Sequence, residues 1–345
     1  MGNVYPINHQ IMKNCILFIV IAFILTSCSK KQRRPECITV SADKTIMQFS
    51  DSSFFSNIAC LNEYEGDIYL SDKKRFQIFR LDSNLNLLKT IGMQGHGPQD
   101  FGYIEKFVIH RDTIFVGDVT KKRILRFSTG GQFCGAENPD EIIPLNYRYC
   151  ADSNKIYYFS DIHISQGQSL VAYNRTRRGE MHLTPFGLVK DFKIPEKNYN
   201  QNRREVHLYN NTLIVIPVSI PVVEIYDATS LNLIQTVDIS SIPVVKDTYS
   251  RLSNDRTITE AIDKAYFIFS DSYINRNKLY ILPFIYKNNQ LDHSSLLEFD
   301  LSNGGAEWVR QYDFPDFVQR FCITDDYIYG FVPQSSSIKR YPLPA

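Results

Sequence analysis

GDIYLSDKKRFQIFRL at residues 66–81 and DTIFVGDVTKKRILRF at residues 112–127 are two copies of one pattern. Each copy opens on a polar turn. An alternating strand follows and ends in Asp, at Asp72 and Asp118. A short basic turn then leads into a second strand. An internal repeat of this kind decides the fold, because one such unit cannot cover both of its faces and must stack on its neighbours.

Weaker copies follow along the chain. They are NKIYYFSD at 154–161, NTLIVIPV at 211–218, NKLYILPF at 277–284 and DYIYGFVP at 326–333. Partner strands follow most of them, as SLVAYNR, VVEIYDAT, SLLEFDLS and SIKRYPLP. A third strand reads next in places, as NLLKTIG (86–92) and NLIQTVDIS (232–240), and an apolar strand precedes each copy. The pattern is therefore a four-stranded meander repeated six times. The central residues Tyr69, Phe115, Tyr157, Ile214, Tyr280 and Tyr329 are 46, 42, 57, 66 and 49 residues apart. Propeller blades repeat every 40 to 50 residues or so, and the two longer intervals predict insertions. The expected fold is an all-β, six-bladed propeller over residues 37–345. The sixth copy lacks an outermost strand, and CITVSADKTIMQF at 37–49 is strand-like without a blade of its own. It is expected to supply that strand and close the ring, which removes exposed sheet edges.

The stretch from Asp67 to Phe101 resembles an NHL-type propeller repeat, with Gly92, Gly95, Gly97 and Pro98 matching the glycine-rich turn into the next blade. Together with the leader described below, the chain resembles the TolB-like six-bladed propeller lipoproteins of Bacteroides-like bacteria. Only the first two blades match closely. The resemblance implies export and binding, and it carries no catalytic residues over.

Composition agrees with strands. Aromatic residues make up 13% of the chain, with 23 Phe and 21 Tyr against one Trp, and such side chains suit pleated, half-buried surfaces. Lys plus Arg total 38 against 37 Asp plus Glu. This balance lacks the basic footprint of a nucleic-acid binder, so no nucleic-acid partner is expected.

The amino terminus reads as an address. CILFIVIAFILTS at 15–27 is too short to span a bilayer and fits a signal-peptide core. Met12-Lys13-Asn14 supplies the positive n-region, and a signal peptide starting at Met12 has the more usual form. Leu25-Thr26-Ser27-Cys28 resembles a bacterial lipobox, which implies cleavage after residue 27 and lipidation of Cys28. Several acyl chains give lasting anchorage where one gives reversible binding. Residues 28–36 then form a tether. Ser29 stands where an inner-membrane retention signal would carry Asp, so the outer membrane is expected. The basic run SKKQRRP favours an anchor facing the periplasm over one facing outward. The cysteines left after the leader are Cys37, Cys60, Cys134, Cys150 and Cys322; their spacing fits neither a zinc knuckle nor a CxxC pair.

In a propeller the inner strands converge on a central channel. Aligning the six copies places Cys60, Val108, Cys150, His207, Tyr273 and Cys322 at one position. The thiols there read as small buried hydrophobes; a Cys60–Cys322 disulfide is the rival reading. Just before that position the chain is charged, at Glu105-Lys106, Arg148, Arg203-Arg204-Glu205, Asp271 and Arg320. Glu105, Lys106, Arg148, Arg204 and Arg320 are the candidate ligand-binding set. Guanidinium forks suit carboxylate or phosphate, so an acidic sugar or a partner's carboxylate is the expected ligand. The plainer reading is a ring of ion pairs that satisfy one another and close the channel. Recurrence of Asp72, Asp118 and Asp161 at strand ends points to turn capping. GMQGHGP at 92–98 lacks a following Lys-Ser or Lys-Thr and reads as a tight turn, with His96 a polar loop residue. Asp112-Thr113-Ile114 weakly resembles a short O-glycosylation sequon.

No HExxH or GxSxG motif is present. No catalytic residue, metal ligand or cofactor is therefore expected. The leading reading is an envelope-anchored lipoprotein whose propeller is a non-catalytic binding or scaffold module for a protein or glycan partner. The rival is a metal-dependent lyase or hydrolase with its site at the channel, since propeller metal ligands such as His110, His163, His182, His207 and His293 can be dispersed in sequence.

Overall fold

The computed structural model describes residues 35–49, 51–138, 147–175, 182–287, 290–291 and 295–344. The leader, Cys28 and most of the tether lie outside the described residues, as does His293. Residues 36–345 form one compact unit.

Six sheets surround the axis. Blade one runs Ile58–Tyr64, Asp67–Asp72, Gln77–Leu81, Leu87–Ile91, from the innermost strand outward. Blade two runs Phe107–His110, Thr113–Asp118, Arg123–Ser128, Phe133–Glu137. Blade three runs Cys150–Ala151, Lys155–Phe159, Leu170–Asn174, His182–Phe186, and blade four runs Arg204–Tyr209, Thr212–Pro217, Val222–Asp227, Leu233–Asp238. Blade five has Phe269–Asn275, Lys278–Pro283, Ser295–Asp300 and Glu307–Asp313; blade six has Arg320–Ile323, Tyr327–Val332 and Ser337–Pro342. Tight hairpins join first to second strands, and the left-handed pairs Glu65-Gly66 and Asn210-Asn211 match the twist of their strands.

The amino-terminal segment serves two blades. Lys44–Ile46 pairs antiparallel with Ser337–Pro342 as the outermost strand of blade six. Just before it, Glu36–Thr39 runs parallel to Glu307–Asp313 as a fifth strand on blade five. The second of these pairings carries no signal in the sequence.

Burial follows from stacking. The second strands lose the usual in–out alternation because both of their faces are covered: Asp67–Asp72 and Thr113–Asp118 are buried at all but their first residue. Outermost strands such as Leu233–Asp238 stay exposed. All six predicted centres, Tyr69 through Tyr329, are buried. The core is accordingly divided among the seams between blades rather than gathered on the axis. The largest cluster joins blades five, six and one and takes in Val40 and Phe49 of the amino-terminal segment. Fully burying one such large apolar side chain contributes about 1.5–3 kcal/mol.

The two long repeat intervals contain helices. Pro195–Gln201 sits between blades three and four; Pro243–Asn254 and Arg256–Thr259 sit between blades four and five. The two longer helices start on a proline whose missing N–H costs nothing there, and the short third is capped by Asp255, which accepts from the Thr257 N–H. Buried Lys197 ties the insertions together by donating to the Ile258 and Lys264 carbonyls. Blade-to-blade connections feed the start of each inner strand, so these insertions belong to the end of the axis where the inner strands begin.

The repeated Asp residues do different work. Asp72 accepts from the N–H groups of Ser56, Asn57, Lys74 and Arg75. Asp118 repeats the arrangement with Gly102, Tyr103 and Lys121. Asp161 is exposed, and its carbonyl accepts from Ile164. In the glycine-rich loop, Gly92 has φ +75 and the Phe101 ring lies where a Cβ would stand. At Gly95 a Cβ would meet the Asp100 carboxylate, which accepts from the Gly97 N–H. His96 is exposed.

Candidate functional site: a plugged channel and its open mouth

The inner strands place polar groups from all six blades on the axis. Arg148, which immediately precedes the third inner strand apart from Tyr149, reaches across to blade five. Its Nε donates to Asp271 Oδ1 at 2.8 Å and its Nη2 to Asp271 Oδ2 at 2.9 Å. Nη1 donates to Asn62 Oδ1 at 3.1 Å, and Nη2 also to the carbonyls of Leu61 and Phe321. Lys106 Nζ lies 3.4 Å from Asp271 Oδ1. Asp271 accepts from the Phe321 N–H as well and has no exposed surface. Burial pushes its carboxyl upward, but Arg148, Lys106 and Arg320 outweigh that and hold it well below the usual carboxylate range. This arrangement blocks the channel.

A second chain of bonds lies beside the plug. Ser272 Oγ donates to Glu205 Oε2 and stands 2.7 Å from His207 Nε2. With the serine proton given to the carboxylate, Nε2 carries the imidazole proton and donates. Burial, then the Arg148 charge, lowers His207 to about 3, so the ring is neutral. Burial, then Asp271, raises Glu205 above its ordinary value. Ser, His and Glu together suggest a nucleophile, but here Ser272 is the middle member and is fully buried. Its hydroxyl is bonded to Glu205 and His207.

The plug separates two pockets. The smaller, of about 220 Å³, is lined by Asn62, Arg148, His207 and Tyr273 among others. The larger, of about 400 Å³, opens where the inner strands begin. Its walls carry Tyr147, Phe267, Phe269 and Phe284, and its polar groups include Glu105, Lys106, Arg203, Glu205 and Arg320. This volume falls within the range of small-molecule sites. Arg203 is held over the rings of Tyr147 and Phe267, at 5.5 and 5.4 Å, and donates to Asn200 Oδ1. Arg320 donates through Nε to the Ala59 carbonyl and through Nη1 to the Ser270 and Gln319 carbonyls. Its Nη2 has no partner among the described residues. Glu105 is engaged by Lys73 and by the Tyr103 hydroxyl.

The structure thus brings Glu105, Lys106 and Arg320 into one pocket and puts Arg148 in the plug beneath it. Arg204 is corrected: it points away from the channel. It is fully buried against Glu224, 3.3 Å away, and donates to the Asn202 carbonyl. Successive strand residues face opposite sides, so Arg203 and Glu205 line the pocket and Arg204 does not. The inner-strand alignment holds in five blades, where Val108, Cys150, His207, Tyr273 and Cys322 pair with the expected centres. In blade one Asn62, not Cys60, faces Tyr69; like its counterparts in the other five blades Asn62 stands seven residues before its centre, so the hairpin register is the same and Cys60 lies two residues earlier on the strand. Cys60, Cys150 and Cys322 are buried and free, and Cys37 and Cys134 are exposed and free; no Cys60–Cys322 bridge is formed. Among the described residues no group of three His, Cys, Asp or Glu side chains could hold a metal ion. Sequence reasoning passed over Tyr147, Phe267 and Phe284, whose only signal is their place just before an inner strand or just after a second strand.

Six sheets, five of four strands and one of five, around a plugged axis define a six-bladed β-propeller. A family described as a 6-bladed beta-propeller (DUF5128) matches residues 47–298, and the chain belongs to it. Solved structures agree on the fold. A member of the DUF4221 family from Bacteroides vulgatus is 12% identical with a TM-score of 0.60, covering 90% of this chain and 98% of that one. A protein of Bacteroides fragilis described as exported is 13% identical with a TM-score of 0.54, over 86% and 87% of the two chains. The WD40 repeats of RRP9 are 12% identical with a TM-score of 0.53, over 87% and 100%. No curated protein matches the chain.

Proposed function

We propose that the protein is an outer-membrane lipoprotein of the TolB-like kind, anchored through Cys28 and facing the periplasm, whose propeller is a non-catalytic binding module. Its partner is an envelope protein or glycan that presents an anionic group to the larger channel mouth. The observation that carries this reading is the blind pocket itself. It is aromatic-walled, bears Arg203 and Arg320, and is floored by a plug that stops passage. The helical insertions enlarge the same end, and insertions that gather on one face of a repeat array commonly build its binding surface. The buried position of Ser272 supports the absence of catalysis.

The test is capture after cross-linking in whole cells. The wild-type chain is expected in the outer-membrane fraction with a bound envelope component, and Cys28→Ala is expected to leave that fraction. Arg203→Glu should keep the membrane address and lose the component. Equal capture by wild type and Arg203→Glu would overturn the mouth as the binding site.

A further inference from the structure

The pocket's chemistry narrows the ligand further, and this inference rests on the binding reading above. Three cations, Lys106, Arg148 and Arg320, face two carboxylates, Asp271 and Glu205, in and around the plug. Glu105 lines the pocket as well but is paired with Lys73, and burial lowers the pKa of Lys106; with Arg203 at the mouth and Lys73 counted, the cations still outnumber the carboxylates. The positive surplus is located at particular atoms. Arg148 spends all three of its guanidinium nitrogens on Asp271, Asn62 and backbone carbonyls. Arg320 Nη2 has no partner among the described residues. Lys106 Nζ has three donors and a single contact of 3.4 Å. Both groups line the larger pocket. Two cationic donors with spare capacity at the floor of a blind cavity form a seat for one carboxylate.

The remaining lining specifies what the carboxylate is attached to. Tyr147, Phe267 and Phe284 offer apolar ring surface. Glu105, Glu205, Gln319 and Ser270 add acceptors and donors around it. Glu105 already holds Lys73 and the Tyr103 hydroxyl, Glu205 accepts from Ser272, and Ser270 bonds Arg320 and the Gln319 carbonyl; the two carboxylates still have acceptor lone pairs to spare, which ring hydroxyls can use and a purely aromatic acid cannot. A ring that has both an apolar face and several hydroxyls satisfies both sets. We propose that the pocket binds a hexuronate, with its carboxylate on Arg320 Nη2 and Lys106 Nζ. Its ring packs against Tyr147, Phe267 and Phe284, and its hydroxyls face Glu105, Glu205 and Gln319. The sugar is either free or the end of an acidic glycan.

The test is titration calorimetry on the chain from Ser29 onward, which contains all six blades. The probes are galacturonate, glucuronate, trigalacturonate, galactose, glucose and benzoate. At least one uronate is expected to bind, and its neutral hexose to bind at least about tenfold more weakly, the size of one charged hydrogen bond. Tighter binding of trigalacturonate assigns the site to a glycan end, and equal binding to the free sugar. Arg320→Gln should cost about tenfold or more. Because Arg320 also holds three backbone carbonyls, Phe284→Ala is the second variant; it should weaken uronate binding while the unfolding midpoint shows the fold intact. A neutral hexose binding as well as its uronate, benzoate binding as well as either uronate, or full binding by both variants would each overturn the proposal. If no uronate binds but Arg203→Glu still loses its envelope component, the sugar assignment falls and the binding module stands. If neither effect occurs, both readings fall.

Discussion

At the centre of the channel every nitrogen of the Arg148 guanidinium has a partner, two of them on Asp271. At the mouth, Arg320 Nη2 has no partner among the described residues, and Arg203 rests on aromatic rings with Asn200 as its hydrogen-bonding partner. These arginines look alike in sequence, each lying near the start of an inner strand. The difference teaches that position in the repeat sets where a charge sits along the axis, while its neighbours decide whether it is structural or available. The plug is a buried ion pair with its remaining bonds filled, and the mouth is a pair of cations with donors to spare.

The largest test of that contrast is Asp271→Asn. It leaves Arg148 and Lys106 buried with their counter-charge gone, and the expected loss is about 3–5 kcal/mol in chemical denaturation. An unchanged midpoint would show that the plug is not a stabilising element. The pH dependence has a definite sign. A carboxyl held below its ordinary pKa contributes stability above that ordinary value, and the contribution is lost only as pH falls through the depressed folded value. Asp271 should therefore support the fold throughout the neutral and mildly acidic range.

Lys197→Met tests whether the mouth is organised separately from the plug. Two carbonyls lose their donor, at a cost of about 1–3 kcal/mol. Faster proteolysis is expected within residues 190–202 and 256–265. Cleavage spread evenly over all six blades would show instead that the insertions are not an independent layer.

Glu205→Gln examines the boundary between the two regions. A carboxyl raised above its ordinary value favours folding below that value, and the benefit is lost as pH rises through the raised folded value. Gln mimics the protonated form. The variant should match or exceed wild-type stability at neutral pH, within about 1 kcal/mol, with the gap closing in acid. A clear loss at neutral pH would mean that the ionised form is the one the plug requires. The smallest expected effect is on Arg203→Gln, which should change stability by no more than about 0.5 kcal/mol. A large loss would class Arg203 with Arg148.

Much of this architecture was legible in one dimension. Tyr69, Phe115, Tyr157, Ile214, Tyr280 and Tyr329 mark second strands, because a strand covered on both faces needs large apolar residues at its middle. The long intervals before Ile214 and Tyr280 announced insertions, though not that they are helical. The channel set was harder to read. Glu105, Lys106, Arg148 and Arg320 converge on the axis, but Arg204 does not, since a change of one residue in parity turns a strand side chain to the other face. Cys60 is the wrong member of the alignment: Asn62 stands seven residues before Tyr69, the spacing the other five blades keep, so the correct position was legible in the sequence. The aromatic walls went unnoticed because a Phe before a strand looks the same whether it fills a core or lines a pocket.

By itself the sequence determined the repeat, the number of blades, the strand that completes the sixth and the charged belt before each inner strand. These depend on local periodicity and on side chains a few residues apart. Only the tertiary structure decided that Asp271 belongs to Arg148, 123 residues away, and that Arg320 Nη2 has no partner among the described residues. It alone set the second edge strand, Glu36–Thr39, on blade five. Those outcomes depend on which side chains meet across the ring once six sheets have closed around one axis, and no local pattern records that meeting.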